Sequence, residues 1–221
     1  MIDRIDAQNE YVFLVFLFIL LLIGLVRQWE RERLTLFLKS FINSNLIDTQ
    51  LRQERAFSRL AIFNFIIVVL VLSTFLSLMF HQFHFFEDLS FTGLTSGLVM
   101  GLILLTTARV ALYAFLSWLF NMESLQQHHT FHWLLTNSIQ AIFLLPISIL
   151  LAFGPTEIKD ATAIIGLAAL GIFYLFRVLR LSMLSAFDFH VPVTYNFLYI
   201  CALEILPVVA IITMISRQFE G

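Results

Sequence analysis

Six apolar runs, each near the length that crosses a bilayer, leave this chain almost no choice of fold. About 20 consecutive apolar residues span the roughly 30 Å hydrocarbon. No water reaches an amide or carbonyl there, so each run must satisfy its own backbone hydrogen bonds as a helix. The runs are Tyr11 to Val26, Leu60 to Phe80, Gly93 to Phe120, a fourth from about His132 or Ile139 to Phe153, Ala161 to Phe176, and Tyr195 to Ile215. Hydrophobic residues make up 60% of the 221 and charged residues 13%, with a mean hydropathy of +0.91; a soluble domain is about half apolar and a quarter charged. The expected fold is therefore all-α: a single polytopic membrane domain over residues 1–221 with about six transmembrane helices, and amphipathic interfacial helices after the first.

The polar stretches set the topology. Residues 1–10, MIDRIDAQNE, are slightly acidic, the wrong charge for a signal-peptide n-region. Residues 27–59 hold seven basic residues among apolar ones at helical spacing, which predicts a basic amphipathic segment lying on the cytoplasmic face. With it and the Arg177/Arg180 end inside, nine basic residues are cytoplasmic, and Arg4, Lys159 and Arg217 are outside. The positive-inside bias then places both termini on the periplasmic side. Charge does not decide the side of the 121–130 loop, NMESLQQHHT.

Ionisable groups inside the apolar runs are the candidate functional residues. Glu204 stands in the middle of Tyr195 to Ile215, where a charge costs about 2.5–3.5 kcal/mol on insertion scales. It calls for a partner, and Arg109 in the third run is the first candidate, with Arg177 second. Pro207 frees the carbonyl of Leu203 beside Glu204, and Pro146 bends the fourth helix near its centre. Arg177 and Arg180, with Tyr174 one turn before, could grip a phosphate, although paired arginines at a helix end commonly anchor it to headgroups. Tyr199 joins this polar set from the last run. Gly93, Gly97 and Gly101 form a small-residue ridge for close helix packing. Asn64 is the one strongly polar side chain of the second run, and Asn137 and Gln140 stand at the start of the fourth.

His128 and His132 share a helix face in HHxxH but lack a carboxylate or thiolate beside them, so they are weak metal candidates and no metal is expected. No phosphate-binding glycine loop or nucleophile elbow is present, which disfavours the enzyme classes built on them. No cofactor and no nucleic-acid partner is expected. The single Cys201 permits no intrachain disulfide.

The C-terminal third adds a resemblance. FRVLR at residues 176–180, an aromatic/His turn, and NFLYICALEILPVV at 196–209 are similar to a family of small polytopic inner-membrane proteins from Bacteroidota known as a domain of unknown function. Its closing-helix pattern falls on Leu198, Tyr199, Cys201, Leu203, Glu204, Ile205, Leu206 and Pro207. The resemblance implies a Gram-negative inner membrane and a multi-helix fold, and transfers no activity. Three functions then fit. The first is a non-enzymatic subunit of an envelope assembly with a buried Glu–Arg polar core, contacting the bilayer, other envelope membrane proteins and anionic lipid at 27–59. A small secondary transporter with a titrating midplane Glu is the alternative. A membrane enzyme acting on a lipid-linked or haem-type substrate is third.

Overall fold

The computed structural model describes residues 2–29, 59–83, 85, 90–120, 123–183 and 213. Among them are five helices and no strand: α1 (Ile2–Trp29), α2 (Arg59–Gln82), α3 (Phe91–Phe120), α4 (Glu123–Phe153) and α5 (Thr156–Met183). Each contains a stretch long and apolar enough to cross a membrane. The expected sixth crossing, Tyr195 to Ile215, lies outside the described residues, Thr213 excepted, as does nearly all of the 27–59 segment.

Two helix starts differ from the expectation. Most of the polar stretch 121–130 is not a loop: α4 begins at Glu123, because ESLQQ is made of residues that lose little entropy in a helix and need no apolar partner outside the bilayer. Likewise α5 begins at Thr156, which reduces the gap between the runs ending at Phe153 and starting at Ala161 to Gly154 and Pro155. Glu157 lies in the first turn of α5, where a negative charge suits the helix dipole. Gly154 closes α4 by donating its N–H to Leu150 O at 2.8 Å, and a Cβ there would collide with that carbonyl. α4 itself continues through Pro146.

The bundle has two central and three peripheral helices. α2 and α4 each pack against all four others. Within the apolar stretch of α2, 61% is buried; within that of α3 only 6%. α1 buries one stripe, Val12, Phe16, Ile19, Leu22 and Val26, and turns Phe13, Leu14, Leu17, Phe18 and Leu21 outward. An outward face of Leu and Phe suits acyl chains. Against lipid, however, apolar burial gains little, so close packing and side-chain pairing must hold the helices together.

Local contacts fix the helices in register. At one end, called the loop end because it carries the 82–91 and 153–156 connections, Gln82 Nε2 donates to Asp160 Oδ1 at 2.9 Å. One turn inward, Thr95 donates to Phe91 O at 2.8 Å, so the Ser77 hydroxyl is the donor in its 2.8 Å bond to Thr95 Oγ1. Another turn in, the fully enclosed Phe75 ring lies in the notch left by Gly166, where a Cβ would run into that ring and meet Ile147 Cγ2 at 3.2 Å. Tyr11 on α1 packs edge-on against Phe91, which places the N-terminal part of α1 at this end too.

Candidate functional site

Buried polarity in the bundle falls into two kinds. The hydroxyls of Ser73, Thr74, Ser138, Ser148 and Thr162 bond back to carbonyls three or four residues earlier in their own helices, which satisfies them without a partner helix. Asn64, Asn137, His132 and the arginines have side chains too long or too donor-rich for that solution. They are the site candidates.

Their depth follows from the register. Counted from Gln82, Phe91, Phe153 and Asp160, the residues Asn64, Arg109, Asn137 and Arg177 all lie about four and a half to five turns in, or roughly 24–27 Å at 1.5 Å per residue. One polar tier thus crosses α2, α3, α4 and α5 near the end opposite the loops. Basic residues collect toward this end: Arg27 in the last turn of α1, Arg59 at the start of α2, then Arg109, Arg177 and Arg180. The loop end has Glu10, Glu157 and Asp160 with Lys159. Among the described residues no salt bridge forms.

α4 divides the tier into two niches. The first belongs to the seam of α2, α4 and α5. Asn64 precedes Phe75 by eleven residues, Asn137 precedes Ile147 by ten, and Arg177 follows Gly166 by eleven. About three turns separate each pair, so the three polar residues stand at one level, three turns from Phe75. There one Arg177 terminal nitrogen donates to Asn137 Oδ1 at 3.3 Å, and the guanidinium stands 5.2 Å from the centre of the Tyr174 ring. Asn64 is 8% exposed, and its Nδ2 has no hydrogen-bond partner among the described residues. Leaving an amide donor unmet in a buried place costs about 1–3 kcal/mol. Arg180 extends the positive charge one turn onward and lies over Phe176, at 5.8 Å.

The second lies elsewhere on α4, which buries His132 and Thr136; by the same count Arg109 on α3 stands at the level of Thr136. The half-buried Arg109 is on the bundle-facing side of α3. The glycine ridge is elsewhere: Gly97 and Gly101 are exposed with open space where a Cβ would stand, and Gly97 is roughly 120° around the helix from Arg109. Gly93, also exposed, faces only Ser90 Oγ at 3.0 Å.

Several expected site residues fall outside the described residues: Glu204, Tyr199 and Pro207, and the side chain of His128. His132 is enclosed, and no three potential metal ligands gather among the described residues. Asn64 was legible as the one strongly polar side chain of its run and Asn137, with Gln140, as polar residues at the start of theirs, but nothing in the sequence joined Asn137 to Arg177. The chain matches the family model described as "Domain of unknown function (DUF4271)" over residues 12–215, and it belongs to that family. No curated protein and no solved structure matches it.

Proposed function

We propose that this member of the domain-of-unknown-function family DUF4271 is a non-catalytic, six-crossing subunit of a bacterial inner membrane that works by assembling laterally with another envelope membrane protein. The observation that carries this reading is the outward face of α3. Its apolar stretch is 6% buried, with Gly97 and Gly101 open beside Met100 and Leu104, each 65% exposed. Small residues in a bilayer allow another helix to approach closely.

The chain's own last run has a different place in this proposal. Entering from the basic end at Tyr195, it carries Glu204 about 13 Å along its own axis, roughly one to two turns deeper than the tier of Arg109, whose long side chain spans part of that difference. Glu204 then faces the Arg109 and His132 niche as its polar core, which is on the bundle side of α3. The glycine ridge remains for the partner's helix. The basic end faces the cytoplasm under the positive-inside bias, with the 27–59 segment on anionic lipid and both termini periplasmic.

The test is purification of the full chain in mild detergent with and without Gly97→Leu and Gly101→Leu. Expected is a discrete heavier complex for the unaltered chain that dissociates in the variants, with the thermal midpoint of the chain itself unchanged. A monomer in both cases overturns the assembly. A reporter fused after Gly221 that works only in the cytoplasm overturns the orientation.

A further inference from the structure

α4 is a central helix with one side left open over half its length. His132, Leu135, Ile139, Ile142, Pro146 and Leu150 follow one another at steps of three or four, so they form one stripe along the helix. The first three are buried and the last three exposed. The apolar stretch of α4 is accordingly 44% buried, against 61% in α2, the other central helix.

Acyl chains are a poor cover for the open half. Pro146 has no N–H, so the carbonyl of Ile142, on the same stripe, loses its donor in the helical ladder. The serine hydroxyls of α4 on either side are engaged elsewhere, Ser138 with Leu134 O and Ser148 with Leu144 O. Counted from Phe153, Ile142 is roughly 16 Å from the loop end, near the middle of the hydrocarbon. A proline is tolerated at such depth where neighbouring protein compensates for the freed carbonyl. α1, α2, α3 and α5 contain no proline, and their open faces need only lipid.

The chain itself has a segment of the right length in the right place. α5 ends with Met183 at the basic end and runs beside α4, to which the Arg177–Asn137 bond and the Phe143 and Phe173 rings, 5.6 Å apart, join it. Tyr195 to Ile215 follows, and as a helix it is about 30 Å long, the span of α4 from His132 to Phe153. We propose that this last run seats on the α4 stripe and covers Ile142, Pro146 and Leu150. The seat rests on the reading above that the run is the sixth crossing and returns from the basic end, and it names the helix that receives it. It starts at the His132 niche and leaves the glycine ridge of α3 free.

The single Cys201 provides the test. It is six residues into the run, roughly 9 Å from the basic boundary and 21 Å from the loop end, which is the level of Ile139 within a turn of Ile142. Gly24 on α1, Leu104 on α3 and Leu175 on α5 are exposed at nearly the same level. Cysteine is placed at one of these positions at a time in the full chain, the membranes are oxidised with copper phenanthroline, and non-reducing gels are read for a faster-migrating band. Expected is an intrachain disulfide in Ile139→Cys or Ile142→Cys that is lost on Cys201→Ser, because a disulfide needs Cα atoms within about 7 Å. Ile142→Cys, on the exposed half, carries the test if Ile139→Cys does not fold. A disulfide with Gly24→Cys or Leu175→Cys instead overturns the seat and leaves the lateral assembly standing. One within the chain to Leu104→Cys overturns both, because the run then occupies the outward face of α3. A bond between two chains through Ile142→Cys gives the stripe to a second copy and overturns the seat. If no variant cross-links, the seat is overturned as well, and the reporter after Gly221 shows whether the sixth crossing has failed with it.

Discussion

The two ends of the α2/α4/α5 seam use the same three helical stripes and meet in opposite ways. Toward the loop end, Phe75 fills the notch at Gly166 against Ile147. Three turns on, the stripes present Asn64, Arg177 and Asn137, and a hydrogen bond replaces the interlock. In lipid, the apolar end gains little from burial as such and is held by fit, whereas the polar end depends on finding partners for its donors. The first sets the register and the second relies on it. A change at Gly166 should therefore reach the Arg177–Asn137 pair, and a change at that pair should leave Phe75 in place.

The largest expected effect is at the interlock. Gly166→Leu must push α5 off the Phe75 ring, since the ring is fully enclosed and cannot swing away. Overpacking ordinarily costs about 1–3 kcal/mol, and a rigid aromatic opposite the new side chain sets the upper end. A broadened, aggregated profile in fluorescence-detected size exclusion is expected, with Gly166→Ala intermediate. A sharp profile and unchanged thermal midpoint for Gly166→Leu would mean that the register is not set there.

At the polar end the expected effects are smaller and depend on which partner is removed. Asn137→Leu leaves Arg177 without its observed acceptor, at a cost of about 1.5–3 kcal/mol for a hydrogen bond to a charged group. Replacing both, Asn137→Leu with Arg177→Leu, removes the guanidinium together with this acceptor and should be less damaging than Asn137→Leu alone. Thermal midpoints of the two singles and the double complete the cycle; a double worse than both singles contradicts the pairing. Asn64→Leu should go the other way, raising the midpoint of the delipidated protein by removing an unmet donor worth about 1 kcal/mol.

The same comparison shows what could be read without a structure. Five of the six apolar runs correspond to helices, because length and hydropathy decide crossing. Gly166 was one of several small residues in its run, and only Phe75, fifth of the turns along another helix, distinguishes it from the exposed Gly171. Asn64 was visible as an isolated polar residue and Asn137 beside Gln140. The bond of Asn137 to Arg177 depends on stripes from separate helices, and periodicity within one helix carries no information about the register between helices.

The smallest expected effect tests whether the peripheral α3 depends on such pairing at all. Among the described residues, one side-chain hydrogen bond ties it to α2, from Ser77 to Thr95. Thr95 spends its own proton on Phe91 O, so Ser77→Ala removes only the bond between helices, and Thr95→Val removes that bond and the internal one while keeping the branched shape. Polar contacts between transmembrane helices average about 0.6 kcal/mol, so Ser77→Ala should lower the thermal midpoint slightly and Thr95→Val by little more. Thr95 is enclosed while Gly97, two residues on, is on the outward side, so neither variant should alter a partner's grip on the ridge. Loss of the heavier complex in Ser77→Ala, with its midpoint intact, would instead show that the position of α3 against α2 governs the outward face, and would join the two regions that the geometry separates.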